Sequence, residues 1–133
     1  MKRRIAIIHF PLKHSRCTIA ASHVQRVFHT NGFMVQHINL HQQLNIDRIV
    51  DILQKTEVII LVIPPLKISY TKIKYLLEQF PSNFFEQKTV VQMVVGGTQA
   101  HLSVMECCLT PIVARLGSTS KKINVLEQKR NKY

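Results

Sequence analysis

Residues Val90 to Leu102 read VVQMVVGGTQAHL, an apolar run that ends on two glycines and is followed by a helical pattern. Short, nearly unbroken apolar runs are typical of parallel strands that are buried on both faces. The chain contains only four glycines, so an adjacent pair at the end of a strand needs a specific explanation. Two are available: a tight strand-to-helix turn, or a place where the backbone closely approaches a ligand.

The same alternation of apolar runs and helical periods continues along the chain. The predicted strands are RIAIIHF, MVQHINL, EVIILVI, TVVQMVV and INVLE, and the predicted helices are RCTIAASHVQRVFHT, IDRIVDILQKT, YTKIKYLLEQF and AHLSVMECCLTPIVARLG. Repeated βαβ units form a parallel sheet with helices on both faces. We therefore expect an α/β three-layer sandwich of strand order 2-1-3-4-5, with the first helix on one face and the next three on the other.

The last predicted strand is followed by EQKRNKY, which has no apolar stripe. The final helix of such a fold is therefore expected to be missing. We expect the part of the sheet beside the first helix that it would have covered to be covered by another subunit or another protein.

A length of 133 residues with 46% hydrophobic content indicates one domain. We place it at residues 1–120, followed by a basic tail at 121–133 in which the last strand forms a short edge strand. The apolar runs are too short for a membrane helix, and no signal peptide is recognisable, so we expect a cytoplasmic protein without membrane contact. The cysteines and histidines lack metal-ligand spacing, and no metal is expected.

The net charge of +11 is concentrated at the two ends of the chain. Residues 1–4 and 121–133 together hold +7, and the stretch between them holds +4. Basic tails can bind nucleic acid, but the interleaved aromatic residues of a single-strand binder are missing. Solvated termini are the better interpretation, and nucleic-acid binding ranks last.

Three predicted loops meet at the carboxyl ends of the strands, where open α/β sheets bind ligands. In the first loop, Ser15 and Arg16 precede a helix and could hold a phosphate, or Ser15 could be an ordinary N-cap beside a solvated arginine. In the second, Pro64 and Pro65 stop the strand stiffly before Lys67. This loop could form a fixed wall beside an anion, or simply end the strand.

The stretches VIILVIPPLKISYTKIKYLLEQFP and KTVVQMVVGGTQAHLSVMECCLTPIVARL resemble the NADPH-dependent FMN reductases, a family of the flavodoxin-like superfamily. The likeness runs from Glu57 to Leu116, includes a Gly-Gly-Thr-x-Ala-His motif, and is greatest to the reductases of alkanesulfonate monooxygenase systems. It implies a flavodoxin-like fold, FMN and NADPH as cofactors, and a homo-oligomer (dimer or tetramer). It also implies a flavin-dependent monooxygenase as a partner.

The resemblance places FMN between the three loops. The cofactor-binding residues that it implies are Pro11, Ser15, Arg16, Cys17, Pro64, Pro65, Leu66, Lys67, Tyr70, Gly96, Gly97 and Thr98. Within this set, Ser15 and Arg16 would lie at the phosphate, the Pro64 to Lys67 loop beside the isoalloxazine ring, and the glycines at its polar edge. No catalytic residue is expected from the chain, because the cofactor carries the hydride chemistry.

The first loop departs from the family pattern. Where the family usually has Gly-Ser-x-Arg, this chain has His9, Phe10, Pro11 and Leu12, so a phosphate-binding serine and an arginine are replaced. The leading hypothesis is an NADPH-dependent FMN reductase, hence an enzyme. The alternative is a flavodoxin-like protein-interaction module with a degenerate flavin site.

Overall fold

The computed structural model describes residues 3–9, 16–39, 45–63, 67–96, 99–117 and 119–125. The strands are β1 (Arg4–His9), β2 (Met34–Asn39), β3 (Val58–Ile63), β4 (Thr89–Val95) and β5 (Thr119–Val125), and the helices are α1 (Arg16–Thr30), α2 (Ile46–Gln54), α3 (Lys67–Glu78) and α4 (Gln99–Arg115). The strands form one sheet of order β2-β1-β3-β4-β5 in which all neighbours are parallel. The predicted α/β architecture and strand order are confirmed.

The sheet separates two apolar clusters, one on each face. Ile5 and Ile7 of β1 pack with Ala21 of α1 in the smaller cluster, whereas Ala6 and Ile8 pack in the larger one. That larger cluster contains buried residues of α2, α3 and α4. Because successive side chains of a strand point to opposite faces, α1 covers one face and the other three helices cover the second, as predicted.

Two elements begin three or more residues before their predicted starts, and the other described boundaries differ by two residues or fewer. Helix α3 begins at Lys67, three residues before the predicted start, because hydrophobic periodicity locates the middle of a helix better than its ends. Strand β5 begins at Thr119 and pairs with β4 over seven residues, although its first half is polar. The division of the chain at residue 120 stays a prediction. The predicted absence of a final helix concerns residues 126–133, which lie outside the described residues.

Helix α1 ends where Asn31 and Gly32 predicted a stop. The backbone N–H of Gly32 donates to the carbonyl of His29 at 3.1 Å, and that of Phe33 donates to the carbonyl of Phe28 at 3.0 Å. Gly32 has φ +87°, the left-handed conformation that glycine adopts at such helix ends. The rings of Phe28 and Phe33 meet edge to face with centroids 5.2 Å apart, which adds the hydrophobic contact typical of this motif.

Lys88 lies just before β4, at the amino edge of the sheet, and closes the end of α2. Its Nζ donates to the carbonyl of Thr56 at 2.6 Å and to that of Gln54 at 3.1 Å. The last carbonyls of a helix lack partners within it, and a positive charge is favourable there. Burial lowers the pKa of Lys88, and the nearby charge of Glu57 opposes that shift.

The connection between α3 and β4 is irregular in backbone but belongs to the core. Phe80 and Phe85 are buried, and both lie against Phe84. The backbone N–H of Phe85 donates to the carbonyl of Leu116 at 2.8 Å, which ties the connection to the end of α4. None of the helices within the described ranges combines the length and hydropathy that a bilayer crossing requires.

Candidate functional site

Three neighbouring strands end together at the carboxyl edge of the sheet. β1, β3 and β4 end at His9, Ile63 and Val95, and the register places His9 beside Val62 and Ile63 beside Val94. The strand order reverses between β1 and β3, and open α/β sheets bind their ligands at such a point. The helices α1, α3 and α4 each follow one of these strands. Their N-termini therefore come near the same edge.

The structure describes five of the predicted cofactor-binding residues. Arg16 and Cys17 open α1, Lys67 and Tyr70 belong to the first turn of α3, and Gly96 follows β4. All five therefore lie on elements that border the carboxyl edge between β1 and β4. The remaining predicted residues lie outside the described ranges: Pro11, Ser15, Pro64, Pro65, Leu66, Gly97 and Thr98. The role of every residue in this set stays a prediction.

The backbone conformation at position 96 itself explains why a glycine is found there. Gly96 is buried and has φ +87°, a conformation that side chains with a Cβ rarely adopt. The turn out of β4 thus favours a glycine at this position whether or not a ligand is bound. Of the two explanations that the sequence offers for Gly96, a backbone conformation that favours glycine is observed at Gly96 itself, and the close approach of a ligand remains a prediction.

His9 is the buried polar side chain at this edge. It is 7% exposed, and its Nε2 lies 3.0 Å from Nδ1 of His37 on β2. Nε2 of His37 in turn lies 2.6 Å from Oε1 of Gln25 on α1. The two imidazole rings meet edge to face with centroids 5.1 Å apart. A continuous chain of hydrogen bonds therefore links the end of β1 to the exposed side of α1.

Both imidazoles are held in the neutral form at neutral pH. Burial, together with the charge that His37 carries when it is protonated, lowers the pKa of His9 to about 4, and burial lowers the pKa of His37. The Nδ1 atom of His9 is buried and has no hydrogen-bond partner among the described residues. Among the described residues, no third His, Cys, Asp or Glu side chain completes a metal site with His9 and His37. The pair is thus a hydrogen-bonding unit with one unused acceptor or donor atom.

Sequence reasoning identified His9 only as a departure from the family pattern. The available signal is a polar residue at the last position of an otherwise apolar strand. Its partners could not be found from the sequence, because they depend on the pairing of Ile7 with His37 in the β1–β2 register and on the rotation of α1. These contacts become visible only once the sheet is assembled.

A parallel sheet of this order, with one helix on one face and three on the other and a reversal of strand order between β1 and β3, defines the flavodoxin-like fold. Solved structures agree. The chain is similar to an NADH:FMN oxidoreductase in its apo form, with a TM-score of 0.76 and 17% identity over 94% of this chain and 76% of that one. It is also similar to an NADPH-quinone reductase from P. pentosaceus, with a TM-score of 0.69 and 14% identity over 95% and 85% of the two chains.

A third similar structure is a short-chain flavodoxin associated with a bacterial microcompartment, with a TM-score of 0.68 and 9% identity over 97% of this chain and 87% of that one. At these identities the likeness establishes the flavodoxin-like fold. No protein-family model matches the chain, and no curated protein is significantly similar to it in sequence.

Proposed function

We propose that this chain is an NADPH-dependent FMN reductase, an enzyme that transfers hydride from NADPH to FMN. The observation that carries the proposal is the flavodoxin-like sheet, in which the ends of β1, β3 and β4 meet at the reversal of strand order. Two of the proteins that share this fold are named for NADH:FMN and NADPH-quinone reduction. The Gly-Gly-Thr-x-Ala-His sequence after β4 supports the same assignment.

One atom at the carboxyl edge, Nδ1 of His9, bears on whether a flavin fits there. A buried polar atom without a partner is costly, and ligands commonly supply the missing partner. FMN carries hydroxyl groups on its ribityl chain, and a hydroxyl can donate to or accept from an imidazole nitrogen. The unpaired nitrogen therefore fits a flavin at the strand ends.

In this proposal the residues of the chain bind the flavin and orient it. Ser15 and Arg16 would hold the phosphate at the N-terminus of α1, the Pro64 to Lys67 segment would flank the ring, and Gly97 and Thr98 would contact its polar edge. A bound flavin supplies the hydride chemistry itself. The protein has only to position the two nucleotides and exclude water, so no acid or base from the chain is required.

The proposal is tested by the initial rate of NADPH oxidation, measured with FMN added and omitted. Gly97→Asp places a carboxylate at the proposed flavin edge, and the rate should fall at least ten-fold. Thr110→Asp is the matched control, because Thr110 is exposed on α4, about 16 Å along the helix from Gln99 at 1.5 Å per residue. A rate that does not depend on FMN, or that falls equally in both folded variants, would contradict the proposal.

A homo-oligomer, dimer or tetramer, belongs to the proposal. Val91 and Met93 of β4 face the α1 side of the sheet but are only partly buried, and the register places Ile123 of β5 beside Met93. A second copy packed here would complete the burial of Val91 and Met93. Sedimentation of wild type and Met93→Lys tests this: we expect an oligomer that the lysine weakens, and a monomeric wild type would refute it.

The cellular role proposed for the reductase is to supply reduced flavin to a flavin-dependent monooxygenase in the cytoplasm. The alternative, an interaction module with a degenerate flavin site, would use the same partly buried surface around Met93. The two functions are separated by flavin binding, because only the reductase requires it.

A further inference from the structure

The hydrogen-bond chain from α1 to β1 has a defined direction. Oε1 of Gln25 is a carbonyl oxygen and can only accept, so Nε2 of His37 donates to it at 2.6 Å. A neutral imidazole that carries its proton on Nε2 has an acceptor at Nδ1. Nε2 of His9 lies 3.0 Å from that atom and therefore donates to it.

The same tautomer rule shows whether the other nitrogen of His9, Nδ1, is a donor or an acceptor. With its proton on Nε2, neutral His9 has a lone pair on Nδ1, so this atom is a hydrogen-bond acceptor. The lowered pKa keeps the atom unprotonated at neutral pH. Nδ1 is buried and has no partner among the described residues, a condition that destabilises the fold until a donor is supplied.

The position of His9 indicates where such a donor would come from. His9 is the last residue of β1, at the carboxyl edge and beside the point where the strand order reverses. Since Nε2 is engaged with β2, the lone pair of Nδ1 is directed away from His37. Phosphate oxygens are acceptors at neutral pH and cannot pair with it, whereas a hydroxyl group can.

We propose that Nδ1 of His9 accepts a hydrogen bond from a hydroxyl group of the ligand bound at the strand ends, which makes His9 a specificity-determining residue for a polyol side chain. The inference rests on the proposed function for its ligand, a flavin, whose ribityl chain carries the hydroxyls. Gln25 and His37 are positioning residues, because they fix the His9 tautomer. The contact selects ribityl-bearing flavins over flavins that lack the chain.

The test compares the dissociation constants of riboflavin and lumiflavin, measured by the quenching of flavin fluorescence. Lumiflavin has the same ring system but no ribityl hydroxyls. In wild type we expect riboflavin to bind about ten-fold more tightly than lumiflavin, as one hydrogen bond to a buried acceptor allows. His9→Phe should remove this preference and leave lumiflavin binding unchanged, whereas His9→Asn retains an acceptor oxygen and should restore part of it.

The matched control is His23→Phe, because His23 is exposed on α1 and should keep the wild-type preference. A second readout needs no variant: the ¹⁵N resonance of His9 Nδ1 should shift when riboflavin is added and remain in place with lumiflavin. An unchanged preference in folded His9→Phe, or an unshifted Nδ1 resonance in riboflavin-bound protein, would overturn this inference but leave the proposed function standing. Binding of neither flavin would refute the proposed function and the inference together.

Discussion

Acidification should destabilise the protein through His9. Burial and the charge of His37 lower the pKa of His9 from its usual 6.5 to about 4 in the folded chain. Between these two values the unfolded chain binds more protons than the folded one, so stability rises with pH. The contribution of His9 is therefore fully present above pH 6.5 and is lost as the pH falls toward 4.

The size of this effect follows from the difference between the two pKa values. A pKa difference of one corresponds to about 1.4 kcal/mol, so lowering the pKa from 6.5 to about 4 corresponds to about 3.5 kcal/mol in total. About 3 kcal/mol of this is lost by pH 4, where folded His9 is half protonated. Carboxylates also titrate in this range, and their contribution is removed by comparison with His9→Asn. Between pH 7 and pH 4 the wild type should lose about 3 kcal/mol more of its free energy of unfolding than the variant does.

The assay is urea unfolding followed by circular dichroism at several pH values between 4 and 7.5. His29→Asn serves as the control, because His29 is exposed at the end of α1. Its curve of stability against pH should run parallel to that of the wild type. Parallel curves of stability against pH for the wild type and His9→Asn would refute the reasoning, because protonation of His9 would then have no effect on the free energy of unfolding.

Two further predictions concern stability and use the same unfolding assay. Lys88→Met should lower the free energy of unfolding by about 1.5 to 2 kcal/mol, since it removes two charge-assisted hydrogen bonds at the end of α2. Lys55→Met is the control and should lower it by less than about 0.5 kcal/mol, because the ion pair of Lys55 is exposed. Equal losses in the two variants would contradict this prediction. Gly117→Ala should cost more than Gly32→Ala. Both have positive φ, about 1 to 2 kcal/mol of strain for alanine, but only at Gly117 would the new Cβ press on a neighbour, 3.1 Å from Oδ1 of Asn83.

The architecture could be predicted because it depends on patterns that are local in sequence. β3 and β4 are short apolar runs, and the buried positions Ile73, Leu76 and Leu77 of α3 recur with the helical period. The polar half of β5 escaped the prediction, because a strand pairs through its backbone and lysines are common on an edge strand.

The candidate site could be located from the sequence but not assembled from it. The rule that ligands lie at the carboxyl ends of parallel strands identified the edge. The contact between His9 and His37 could not be predicted, because it joins two strands and depends on their register. The φ angle of Gly96 also becomes known only from the turn itself, and it shows that a glycine beside a proposed ligand can serve the backbone first.

The connection between α3 and β4 has a practical consequence for handling the protein. Loops usually tolerate tags, insertions and new chain termini, because few buried contacts depend on them. Phe80 and Phe85 are buried and the backbone of Phe85 is bound to the end of α4, so this stretch behaves like a core element despite its irregular backbone. A protease-cleavage site or fluorophore placed between Phe80 and Lys88 would open the larger apolar cluster. A circular permutant cut there would separate α3 from the strand that it helps to bury.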